Sequence, residues 1–180
     1  SKDGNRELIR AKYIVAAPGR GGANWLTSVA NENNLKTVNN EVDIGVRVEV
    51  RKEIMQDITD VIYDPTIFIK TKTYGDEIRT FCMNPRGSVV NENTNGVITV
   101  NGHAFEDEKL KTNNTNFALL VSKHFTEPFN EPIEYGKYIA ELANKLSGGK
   151  VLVQRFGDIK RCRRKYIQFR RRLFFISWLY

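Results

Sequence analysis

Between Val42 and Val50 the branched apolar residues Val42, Ile44, Val46, Val48 and Val50 alternate with Asp43, Gly45, Arg47 and Glu49. A period of two places the apolar set on one face of an extended chain, so the stretch predicts a β-strand with one buried face. Such a strand is not stable alone. It needs neighbours on both edges and a layer over its apolar face, and the following sequence offers both.

Thr66 to Tyr74 and Glu77 to Met83 are β-branched and alternating around Tyr74-Gly75-Asp76, which predicts an antiparallel hairpin. Asn84 to Gly87 reads as a turn. Ser88 to Asn91 and Gly96 to Asn101 read as a second hairpin closed by Glu92 to Asn95, and Asn116 to Val121 as an apolar strand. Val151 to Arg155 adds a short strand. Helical spacing marks Lys52 to Asp60, through Ile54, Met55 and Ile58, and Tyr135 to Leu146, which Gly148-Gly149 ends as a C-cap pair. The expected class is α+β, with a mixed, largely antiparallel β-sheet and a few helices.

Upstream, Ile9 to Gly22 reads IRAKYIVAAPGRGG. Tyr13 to Ala17 are small or apolar and predict a buried strand. Pro18 fixes φ and removes a donor, while Gly19, Gly21 and Gly22 permit positive φ and leave backbone amides uncovered. Helical spacing resumes from Asn24 to Ala30. A strand, a glycine turn and a helix start form one arrangement that can receive an anion or nucleotide; the same pattern also serves as a plain tight connection.

YIVAAPGRGG resembles the strand ending in Ala-Thr-Gly or Ala-Pro-Gly that lies beside FAD in flavoproteins with a dinucleotide-binding domain. VDIGVRVEV (Val42 to Val50), RTFCMNPRGSVVNE (Arg79 to Glu92), VNGHAF (Val100 to Phe105), TNFALLV (Thr115 to Val121) and VQRFGDIKR (Val153 to Arg161) follow in order. Together they resemble the FAD-dependent, NAD(FAD)-utilising dehydrogenase family over roughly Ala11 to Arg164. The resemblance implies FAD as cofactor, with Ala17, Pro18, Gly19, Arg20, Gly21 and Gly22 beside it. It also implies a fragment of an FAD-binding domain over 1–40, a β-rich inserted domain over 41–130 that covers the flavin and shapes the substrate site, and a helix and return strand over 131–164. The family's GxGxxG turn is absent and the chain begins SKDG, so it reads as an internal segment, with Ser1 to Leu8 the remains of a hairpin. Its expected partners are the FAD-binding segment that bears that turn and a small-molecule substrate. The isolated chain is expected to retain no FAD and to be inactive.

Twenty-eight Lys and Arg against 21 Asp and Glu give a net charge of +7. Ile159 to Tyr180 holds eight of the bases and no acid, so the body carries 20 bases against 21 acids. Any electrostatic attraction to nucleic acid or anionic lipid therefore belongs to the C-terminus alone. Residues 165–180 read as a basic aromatic tail, FRRRLFFISWLY at its end, that departs from what the resemblance supplies. A binding module using that tail for RNA or anionic lipid is the alternative function. Cys82 and Cys162 belong to no CxxC pair, so neither a disulfide framework nor a zinc site is expected. No apolar run approaches the roughly 20 residues that span a bilayer and no signal peptide is present, which points to the cytoplasm.

No GxSxG elbow or HExxH pair occurs, and only two histidines are present, which argues against hydrolysis. In TFCMNPRG, Cys82, Asn84 and Arg86 gather a thiol, an amide and a guanidinium around one turn that could face flavin or substrate; a buried Cys acting as a small hydrophobe is the plainer account. His103 could exchange a proton at neutral pH, although a lone loop histidine is more often just solvated and nothing pairs it with His124. Arg155 and Asp158, at the last strand end, could meet an anionic substrate or form a surface ion pair with one another.

Overall fold

The computed structural model describes residues 8–161 and 173–178, and the chain divides into two compact units, Ser1–Thr37 and Val38–Tyr180. Of the expected hairpin remnant, Ser1 to Leu8, residues 1–7 lie outside the described residues, as does Cys162.

In the first unit, residues 8–19 form neither helix nor strand and bend at Lys12, a 3-10 turn covers Arg20–Gly22, and helix α1 covers Ala23–Glu32. The expected buried strand over Tyr13 to Ala17 does not form. Tyr13, Ile14 and Val15 are 80, 84 and 91% exposed. Backbone N–H and C=O groups of a strand need lateral partners, and the described residues of this unit supply a helix and no second strand. Helix α1 buries only Ala30 and closes with Asn34 at φ 54° and the Leu35 N–H donating to the Ala30 carbonyl.

The second unit is built on strand β1 (Val42–Arg51), where the alternation placed a strand. Helix α2 (Lys52–Thr59) follows it directly, then β2 (Phe68–Lys70), β3 (Glu77–Asn84), β4 (Ser88–Thr94), β5 (Val97–His103), β6 (Asn114–Lys123), helix α3 (Pro132–Leu146), β7 (Val153–Arg155), helix α4 (Phe156–Lys160) and β8 (Leu173–Trp178). Among the described residues six strands form one sheet in the order β2-β3-β6-β1-β8-β7, while β4 and β5 form a separate ribbon. Every pairing is antiparallel. The class is therefore α+β, as the order and periodicity of the elements indicated.

Several details depart from expectation, among them β2, which keeps only Phe68–Lys70 of the expected strand Thr66 to Tyr74, and helix α4 over Phe156–Lys160, where no helix was expected. The β4–β5 loop is two residues, not four: Asn95 and Gly96 both take positive φ (52° and 88°), the conformation that lets an Asn-Gly pair close a tightly twisted hairpin. The C-terminal tail is not loose throughout, because Leu173–Trp178 forms β8 between β1 and β7, with Val48 opposite Phe174 and Gln154 opposite Phe174. The basic residues Arg163, Arg164, Lys165 and Arg170 to Arg172 lie outside the described residues.

Val48, Met83 and Phe117 form one buried cluster, with Val46, Val50, Leu119 and Met55 of α2 against it. Val42, Val97 and Ala140 form another, joined by Ile44, Phe125 and Ile139. Burial of such side chains contributes about 1.5–3 kcal/mol each. The ribbon is tied to α3 by Asn144, whose Oδ1 accepts from the Ile98 N–H at 2.8 Å while its Nδ2 donates to the Ile98 carbonyl at 2.8 Å. One side-chain amide thus takes the place of a neighbouring strand along β5.

Candidate functional site

The first candidate is the glycine turn. Ala17, Pro18, Gly19 and Gly21 are exposed, and Gly22 is half-buried. Gly19 takes φ +66°, and a Cβ built at Gly19 or Gly21 meets no atom within 4 Å. At Gly22 a Cβ would lie 2.3 Å from Pro18 Cβ, so that glycine is required by the turn itself. Arg20 opens the 3-10 turn, and the Gly22 N–H donates to the Gly19 carbonyl at 3.1 Å. Gly22 also occupies the N-cap of α1, where it provides no side-chain cap. Uncapped N–H groups and open space at Gly19 and Gly21 fit an anionic ligand such as the pyrophosphate of FAD.

The second candidate is Cys82 to Gly87. Its backbone is unusual: Cys82 has φ 51° and Arg86 φ 54°, and the β3–β6 register shifts between Phe81 and Asn84. This bulge turns the Cys82 carbonyl toward Arg47 of β1, whose Nη2 donates to it at 2.7 Å. Arg47 is 1% exposed and also donates to Asn116 Oδ1, from Nε at 2.9 Å and from Nη2 at 2.6 Å. Asn84 is 8% exposed, and its Nδ2 donates to the same Cys82 carbonyl at 2.8 Å. Gly102 of β5 closes over the group. Burial pushes the Arg47 guanidinium below its ordinary value, while Cys82, Asp64 and Glu92 act in the opposite direction.

The bulge therefore binds the sheet together through Asn84 and Arg47, and the Asn84 amide is turned inward. Arg86 is engaged by Glu108, Nη1 to Oε2 at 2.7 Å, and Glu108 also accepts from Lys111. Those contacts, Lys111 first, hold the Glu108 carboxyl below the ordinary range. Cys82 is half-buried and free. His103 is exposed and packs edge-on against Phe105 at 4.9 Å between centroids.

At the last strand end the ion pair forms with a different partner: Asp158 bonds Arg161, at 3.1 Å, rather than Arg155. One helical turn separates Asp158 from Arg161, whereas Arg155 belongs to β7 and buries its Nε. The glycine turn belongs to the first unit, and the Cys82 bulge and the β7 end belong to the second. Arg47 was the residue missed. Its signal was a guanidinium in the centre of a valine-rich strand, close to Gly45.

Among the described residues no three His, Cys, Asp or Glu side chains gather in a way that could hold a metal ion, and no helix is long and apolar enough to cross a membrane. No protein-family model and no curated protein matches the chain.

Proposed function

We propose that the chain serves in an FAD-dependent oxidoreductase, its first unit supplying a strand and glycine turn to the flavin site and its second unit the β-rich domain that covers the flavin and shapes the substrate site. The observation that carries this reading is the exposed apolar run Tyr13-Ile14-Val15 leading into a turn whose glycines leave backbone open. An unpaired, exposed apolar segment gains both hydrogen bonds and burial when strands join its edges. The glycine turn at its end then faces whatever those strands bind. FAD, when bound, supplies the redox chemistry. The chain's own part is to let the cofactor approach at Gly19 and Gly21 and to offer it the uncapped amides of α1, where negative charge is stabilised.

Because the turn is only part of a nucleotide site, the isolated chain is expected to bind FAD weakly and to purify colourless. Amide NMR during an FAD titration tests the assignment. Shifts centred on Gly19, Gly21, Gly22 and Asn24, weakened in Gly19→Val, are the expected result; shifts elsewhere, or none at millimolar FAD, would sink it.

A further inference from the structure

A cavity of about 400 Å³ opens in the second unit between the end of β6 and the first turn of α3, lined by Phe125, Pro128, Phe129, Glu131, Glu134 and Tyr135, with Asn130 beside them. Its size is that of a small-molecule site. Three aromatic rings line it. Phe125 and Tyr135 stand 4.9 Å apart between centroids, inclined at 49°, and Phe129 is 75% exposed at the wall. Its ring is therefore open to a ligand in the cavity.

The charge of the lining has one sign. Glu131 and Glu134 are its ionisable residues apart from Tyr135, and Glu134 has only a loose ion pair, 4.0 Å from Lys137. The α3 N-terminus offsets part of this charge, about half an elementary charge against two carboxylates. Aromatic faces and carboxylates share one preference: both attract a cation, and the rings favour one that is weakly hydrated. We propose that this cavity binds a small organic cation in solution, with a quaternary ammonium head against Phe125, Phe129 and Tyr135 and its charge toward Glu131 and Glu134. The assignment uses no residue of the glycine turn and stands apart from the flavin reading.

Choline is the probe, with its uncharged isostere 3,3-dimethylbutan-1-ol as control. In an NMR titration of the full chain, choline is expected to give saturable shifts at Phe125, Phe129 and Tyr135, and the alcohol none. Phe129→Ala should weaken choline about tenfold, and Glu131→Gln about threefold, with unchanged melting temperature because both side chains are exposed. Failure of choline to bind, equal binding of the alcohol, or undiminished affinity in Phe129→Ala would each overturn the proposal. Phosphatidylcholine vesicles separate the two sources of the head group: no co-sedimentation is expected, and co-sedimentation lost in Phe129→Ala would assign the cavity to a lipid surface and overturn the free-ligand form.

Discussion

Gly102 and Arg47 occupy adjoining space so closely that a Cβ at Gly102 would lie 1.7 Å from Arg47 Nη2. The same atom would lie 2.2 Å from Asn84 Nδ2 and 2.5 Å from Asn116 Oδ1. The ribbon can cover a buried guanidinium because it offers bare backbone there.

Gly102→Ala is therefore expected to displace Arg47 from its acceptors and cost about 2–4 kcal/mol in urea denaturation, since overpacking and unpaired buried polar groups act together. Arg47→Met is expected to cost a similar amount. The double variant should fall short of the sum by roughly 1 kcal/mol or more, as residues in contact do. Strict additivity would show that the two positions are not coupled.

Asn144→Ala removes both hydrogen bonds to Ile98, for an expected loss of about 1–2 kcal/mol. The local effect is the sharper test. Hydrogen exchange at the Ile98 amide should accelerate well beyond that of amides in β1, and Asn144→Asp should not rescue it, because a carboxylate would face the Ile98 carbonyl.

Glu49 gives a pH-dependent case. Burial raises its carboxyl above the ordinary 4.5, and a hydrogen bond from Asn114 opposes the shift. A raised value in the folded state means that this residue's contribution is present in full below pH 4.5 and is lost as pH rises through the folded value. Glu49→Gln should accordingly raise the melting temperature at neutral pH, with the gain vanishing at acid pH. A gain that persists unchanged at acid pH would assign the effect to something other than ionisation.

Removal of Leu173 to Tyr180 takes β8 out of the sheet, exposing one edge of β1 and leaving β7 unpaired. We expect a fall in melting temperature of more than about 10 °C, or an insoluble product. A melting temperature unchanged by this deletion would return the segment to the status of a loose basic tail.

The elements that depend on near neighbours in the chain were legible from the sequence. Val42 to Val50 declared a strand by its period and Tyr135 to Leu146 a helix by its spacing, because each signal lies within a few residues. The glycine turn of the candidate site was visible for the same reason. What depended on distant partners was not. Alternation gave β1 one buried face, yet Arg47 on the other face is also buried, because Asn116, 69 residues away, and the Cys82 carbonyl supply its acceptors and Gly102 covers it. Tyr13 to Ala17 has the composition of a buried strand and is exposed, while Leu173–Trp178, with a composition suited to a membrane-seeking tail, enters the sheet. Composition sets how readily a segment extends; only a free hydrogen-bonding edge, brought near by the rest of the fold, decides whether it becomes a strand.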